Sequence, residues 1–139
     1  MRRNVLAVLM AMTMTVPVSM NFMSVTTSAD ATICDLYNRS CTSSISISGN
    51  TATCQSKVIG YNGETTKISF SQALQKKNSS GSWSTIKSWS KTVNDFSYTY
   101  SNKYSGLAKG TYRVKTTATV YAGNKSETVT SYSSTQTVK

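Results

Sequence analysis

The chain has 139 residues, a formal net charge of +10 and no histidine. The missing imidazole excludes His-ligated metal sites and the usual Ser–His and Cys–His nucleophile pairs. The charge argues for solubility and for attraction to anionic surfaces, but past residue 31 only Lys76 and Lys77 are adjacent cations, so no basic stripe forms and no nucleic-acid partner is expected.

Arg2 and Arg3 lead into an apolar stretch running from Val5 to about Val25, and Ala29-Asp30-Ala31 then supplies small residues in an A-x-A pattern. These are the three parts of a secretory signal peptide in the right order. A spanning helix wants about 20 predominantly apolar residues, and Pro17, Asn21 and several Thr and Ser interrupt this one. A lipoprotein is disfavoured because bulky Ile33 directly precedes Cys34. The expectation is a signal peptide over 1–31, an N-terminal segment over 32–42 and a folded domain over 43–139, secreted and with no membrane span kept after cleavage. The removed part carries all six Met and the single Pro. Loss of Arg2, Arg3 and Asp30 leaves a net charge of about +9. What remains is long enough for one modest core.

Past that point no helical periodicity is present; apolar residues alternate over short segments separated by Gly, Asn and Ser. The first segment, 43–48, sets Ile45 and Ile47 on one face. Gly49-Asn50 is a hairpin turn signal, because both residues tolerate positive φ. The second, 51–59, points Ala52, Cys54 and Val58 inward, and Tyr61-Asn-Gly-Glu64 turns the chain. The third, 66–76, points Ile68, Phe70 and Leu74 one way; a flexible tip follows at 78–82. The fourth, 83–91, carries Trp83 and Trp89 on one face and Ile86 on the other. The fifth, 96–100, alternates Phe96, Tyr98 and Tyr100 on a single face. The sixth, 111–121, sets Tyr112, Val114, Thr116, Ala118 and Val120 inward and Arg113, Lys115, Thr117 and Thr119 outward. The seventh, 126–138, is polar and reads as an edge or closing strand. Seven short strands in about 100 residues predict one all-β antiparallel sandwich, with a small barrel as the alternative.

Three cysteines, Cys34, Cys41 and Cys54, leave one unpaired in any monomer. Export permits a disulfide. If Gly49-Asn50 is a two-residue turn, Cys41 faces Val58, and its offset from Cys54 is about 13 Å at strand rise, beyond the roughly 7 Å Cα limit for a bridge. Cys34–Cys41 is therefore the favoured pair, with Cys54 as a buried core thiol. A bulged or longer hairpin would restore Cys41–Cys54, and an exposed Cys34 would allow covalent dimers; otherwise a monomer is expected.

The acids after residue 31 are Asp35, Glu64, Asp95 and Glu127, each alone in its segment, so only the fold could assemble a glycosidase pair. No phosphate loop, EF-hand pattern or CxxC is present. An enzyme is not expected, and no cofactor or metal is implied. Aromatic faces stack on sugars and anchor protein interfaces, which makes Trp83, Trp89, Tyr61 and Tyr121 the candidate binding residues. The competing reading places one or both Trp over the core. The sequons at Asn38, Asn78 and Asn124 are read as incidental.

Leu107-Ala-Lys-Gly-Thr-Tyr-Arg-Val-Lys-Thr-Thr-Ala118 resembles the start of strand F in fibronectin type III and immunoglobulin-like domains. That resemblance implies a seven-stranded sandwich in which Tyr112 is the corner tyrosine, its hydroxyl bonding back to nearby backbone. Thr51-Ala-Thr-Cys54 resembles an immunoglobulin strand B, but Val114 stands at the facing position, so the inter-sheet disulfide is missing, and Phe70 stands where a core Trp would be. Residues 43–138 also resemble a group of short exported proteins of Gram-positive Clostridia and their gut relatives. The residues that carry this are the Ile-Ser-Gly…Ala-Thr-Cys hairpin, Leu74-Gln-Lys-Lys, Trp83-Ser-Thr-Ile-Lys-Ser-Trp89-Ser, Gly110-Thr-Tyr-Arg-Val114 and Ser126-Glu-Thr-Val129. That group has no assigned activity, so the resemblance implies fold and compartment and no particular chemistry.

The expected function is a secreted, non-enzymatic interaction module for an extracellular protein or glycan, anionic polymers being natural neighbours of its charge. The alternatives are a cationic antimicrobial or toxin-like protein and an envelope-associated structural protein. Scattered rather than amphipathic charge counts against the first alternative.

Overall fold

The computed structural model describes residues 38–139. The expected signal peptide and Cys34, with its expected bridge to Cys41, lie outside the described residues. Within them the chain is all-β, in strands β1 (Asn38–Ser48), β2 (Thr51–Gly60), β3 (Lys67–Lys77), β4 (Trp83–Val93), β5 (Ser97–Tyr104), β6 (Gly110–Ala122), β7 (Lys125–Tyr132) and β8 (Gln136–Val138). Two antiparallel sheets form a β-sandwich: a smaller one in the order β1-β2-β5, and a larger one in the order β4-β3-β6-β7, with β8 also paired to β6.

The first hairpin sets the register of the smaller sheet. Gly49 takes a φ of 59° and no non-glycine among the described residues has positive φ, so a two-residue turn with its left-handed position on Gly49 brings Ser48 opposite Thr51. Cys41 therefore faces Val58, and Cys54 faces Ile45. This four-residue offset rules out a Cys41–Cys54 bridge. The strand begins at Asn38 rather than Ser43, because the alternation of buried residues continues back through Ser43 and Cys41.

Alternation on β6 buries Tyr112, Val114, Thr116, Ala118 and Val120 and turns Arg113, Lys115, Thr117 and Thr119 outward. The Tyr112 hydroxyl donates to the Ala108 carbonyl at 2.6 Å, which ties the start of β6 to the loop before it. The expected seventh segment is two strands. Lys115 opposes Tyr132 whereas Tyr112 opposes Gln136, so the outer chain jogs at Ser133. Val114 N–H donates to Ser133 Oγ there at 2.7 Å, and Ser133 N–H donates to the Val114 carbonyl at 2.9 Å.

Between the sheets lie two apolar clusters. One holds Cys41, Val58, Ile68, Phe70, Ala118, Val120 and Val129, with Phe70 against the tilted rings of Tyr98 and Tyr100. The other holds Ile45, Ala52, Cys54, Leu74, Leu107, Tyr112 and Val114. A polar layer separates them, to which six strands each contribute one residue. Ser43 Oγ donates to Thr116 Oγ1 at 2.6 Å, with the Ser131 carbonyl at 3.2 Å as a second acceptor. Ser56 Oγ shares a 2.6 Å bond with Thr116 Oγ1 and accepts from Gln72 Nε2 at 2.7 Å, while Asn102 Nδ2 donates to Gln72 Oε1 at 2.9 Å. Buried hydroxyls and amides are tolerable in such a place only when bonded to one another. Of these six residues only Thr116 is expected inward from the sequence.

Candidate binding face

The fourth strand departs from simple alternation, and this decides where the tryptophans stand. Along β3–β4 the pairing runs Gln72↔Trp89 and Leu74↔Lys87, then shifts, so that Gln75 pairs with Thr85 and Lys77 with Trp83. Ile86 is the extra residue of a β-bulge, and the strand changes parity across it. Trp89 consequently packs against the second core cluster, on the side of buried Gln72. Trp83 stands on the opposite, outer face. The expectation that both tryptophans share a face is wrong for this reason, and an inserted residue of ordinary strand character gives no warning of it.

On that outer face Trp83 is half-buried beneath Arg113, whose guanidinium carbon lies 4.2 Å from its ring centroid. The same guanidinium lies 4.3 Å from the ring of Tyr132, so it is stacked between two aromatics supplied by β4 and β7. Arg113 Nε donates to Gln75 Oε1 at 2.9 Å, and Gln75 Nε2 donates in turn to Thr85 Oγ1 at 3.3 Å, which fixes the plane of the guanidinium. Partial burial pushes the Arg113 pKa below its ordinary value, against an opposing charge interaction with Tyr132; a guanidinium stays cationic in such a setting. Lys115 adds a second cation, 6.0 Å from the Tyr132 ring.

Register extends this face to the far end of the sheet. Its rows run Ser88–Ala73–Lys115–Tyr132, then Ser90–Ser71–Thr117–Thr130, then Thr92–Ser69–Thr119–Thr128, and close on Lys67–Tyr121–Ser126. Short hydroxyl side chains fill these middle rows, where Ser69 pairs with Thr92 at 3.0 Å and Thr119 with Thr128 at 2.9 Å. At the far end Lys67 Nζ lies 4.1 Å from the Tyr121 ring centroid. No Asp or Glu occupies an outer position of this sheet among the described residues: Glu64 and Asp95 sit in turns, and Glu127 pairs with inward Val120. The outer face of the smaller sheet has rows Thr42–Lys57–Thr99, Ser44–Gln55–Ser101 and Ser46–Thr53–Lys103, with no aromatic residue.

The remaining expected site residues are dispersed. Tyr61 is exposed in the turn after β2, with the Arg39 guanidinium 6.0 Å from its ring. Cys41 and Cys54 are each buried, in different apolar clusters, and burial pushes the Cys54 thiol up to about 11. Of the sequon asparagines, Asn38 is wholly buried while Asn78 and Asn124 are exposed. An open pocket of about 190 Å³ at the sandwich end is lined by Lys76, Ile86, Tyr104, Leu107 and Tyr112. That is below the several hundred cubic ångströms common for small-molecule sites. No group of three or more His, Cys, Asp or Glu able to hold a metal occurs among the described residues, and no helix among them is long and apolar enough to cross a membrane.

Arg113, Lys115, Lys67 and Tyr132 were absent from the expected binding set. The outward positions of Arg113 and Lys115 were legible, but their company was not, because it depends on the register of β3, β6 and β7. No protein-family model matches the chain, and comparison with curated proteins and with solved structures gave no match either.

Proposed function

We propose that this chain is a secreted, non-enzymatic interaction module of the immunoglobulin/fibronectin type III kind, which binds an extracellular glycan or protein through the outer face of its larger sheet. The strand orders β1-β2-β5 and β4-β3-β6-β7, together with the Tyr112–Ala108 bond, support the fold assignment, with Tyr112 as the corner tyrosine. The N-terminal 31 residues, read as a cleaved signal peptide, support the compartment.

One observation carries the binding reading: the Trp83–Arg113–Tyr132 stack, with Tyr132 40 % exposed, stands on a sheet face otherwise made of short polar side chains and lysines. A stacked guanidinium and two ring edges offer donors, charge and apolar surface in one rigid place, at low entropic cost to a ligand. The test uses protein produced from the full chain and recovered from the medium, its intact mass reporting cleavage after Ala31. Retention on arrays of glycans and surface proteins should be lost in Trp83→Ala/Tyr132→Ala, which should still unfold cooperatively well above the assay temperature. Undiminished retention would move the site elsewhere.

A further inference from the structure

We infer that the ligand of this face is a linear polysaccharide carrying carboxylate or sulfate groups, lying along β6 from the Trp83–Tyr132 end to Tyr121. The inference rests on the binding-face reading above and names its ligand. Three features of the face argue for it. First, its charge has one sign. Lys77, Arg113, Lys115 and Lys67 occupy outer positions of β3 and β6 without an acid among them. A surface of single sign selects a ligand of the opposite sign and speeds its encounter.

Second, the aromatics stand at the two ends and the hydroxyls between them. Arg113 and Tyr121 are eight residues apart on β6, about 26 Å at strand rise. Tyr132 and Trp83 at one end and Tyr121 at the other each carry a cation over the ring and offer their remaining apolar ring surface and edges to sugar C–H groups, while Thr117, Thr119 and their neighbours hydrogen-bond to ring hydroxyls. A strip that long, lined by short polar side chains, fits an extended polymer better than a compact ligand. Third, the strip has no apolar centre. A protein partner would need a desolvated hydrophobic patch, and the exposed large apolar residues Tyr61, Ile86 and Phe96 all lie off this face, Tyr132 alone being on it.

The smaller sheet provides the control. Lys57 and Lys103 stand on its outer face with the same charge and no aromatics. Binding of full-chain product would be measured to polygalacturonate, dextran sulfate, unmodified dextran, phosphatidylglycerol-containing vesicles and duplex DNA. Polygalacturonate or dextran sulfate should bind and dextran should not, and the two anionic polymers separate carboxylate from sulfate recognition. Lys67→Gln/Lys115→Gln should weaken binding about tenfold or more, and Lys57→Gln/Lys103→Gln less than about twofold, although both pairs remove the same charge. Equal weakening by the two pairs would reduce the effect to bulk charge and overturn the inference. So would failure to bind either anionic polymer, or tighter binding to vesicles or DNA. Retention of neutral dextran that is lost in Trp83→Ala would keep the face and sink its anionic ligand. Anionic-polymer binding left intact by Trp83→Ala/Tyr121→Ala would sink the face itself.

Discussion

Ser43 on β1 and Thr116 on β6, 73 residues apart in sequence, share a 2.6 Å hydrogen bond at the level where the apolar core is divided in two. Thr116 Oγ1 also bonds Ser56, so one hydroxyl of the larger sheet holds both long strands of the smaller one. The bond acts on register as much as on stability. A one-residue slip of any one of these strands would turn its own polar group outward and leave the partners from the other strands buried alone.

Thr116→Val keeps the shape and removes that oxygen. Ser43 would retain only the Ser131 carbonyl and Ser56 only Gln72, and the expected loss in denaturant unfolding is about 1–3 kcal/mol. Gln72→Ala adds a cavity and strands Asn102, for about 2–4 kcal/mol. Ser131→Ala should do no harm, because its Oγ is buried without a partner; a loss above about 1 kcal/mol would show that this hydroxyl is bonded after all. Converting Ser43, Ser56, Gln72 and Thr116 together to Ala, Ala, Leu and Val should cost less than the sum of the single changes.

The two tryptophans should separate by assay. Trp89 packs on the second core cluster, so Trp89→Ala should lower stability by about 2–3 kcal/mol. Trp83→Ala loses a surface stack and should cost about 1 kcal/mol. Deleting Ile86 is the sharper test. Removing one residue from a strand normally reverses every side chain beyond it, but here it removes the bulge and leaves Trp83 on the outer face beside Arg113. The deletion should fold cooperatively, whereas deletion of Ser90 should not. Reversal of these two outcomes would show that the bulge is misplaced.

This contrast also marks where sequence reading reached its limit. The facing of β6 from Tyr112 to Val120 was legible residue by residue, though the strand runs one residue further at each end, because its alternation is unbroken and its inward residues are mostly apolar. The β1–β2 register followed from Gly49-Asn50 and placed Cys41 opposite Val58. Ile86 gave no signal, because a bulge residue has the composition of any strand residue. The polar layer was hidden for a related reason: Ser56 and Gln72 lie at inward positions, but their hydroxyl and amide are internal only because partners arrive from other strands. Tyr132 lies inside a polar stretch that gives no sign of its role, although it completes the Arg113 stack.

Gly60 closes β2 against the turn that follows. A Cβ built there would stand 2.8 Å from Thr65 Cβ, and the Thr65 hydroxyl, which accepts from Tyr61 N–H, would lie in its way. Gly60 N–H also donates to the Phe96 carbonyl at 2.6 Å, which anchors the β4–β5 connection. Gly60→Ala should therefore cost about 1–3 kcal/mol. Gly60→Ala/Thr65→Ala should recover part of that loss, and no recovery would show that the cost is not steric contact with Thr65.

Cys54 predicts a loss of stability at alkaline pH. Its thiol is fully buried in the second cluster, and burial raises its pKa from 9.0 to about 11 in the folded chain. Below pH 9 folded and unfolded states both hold the proton, so the group adds no pH dependence. Between about pH 9 and 11 the unfolded chain gives up that proton first; it then binds fewer protons than the folded chain, and stability falls as pH rises. The full effect is at most about 2–3 kcal/mol. Cys54→Ala starts less stable through its cavity but lacks this titration, so the gap between wild type and variant should narrow from pH 9 to 11. Native Cys54 should also resist alkylation at pH 8 and react once the chain is unfolded. A constant gap together with rapid native alkylation would place the Cys54 sulfur within reach of solvent.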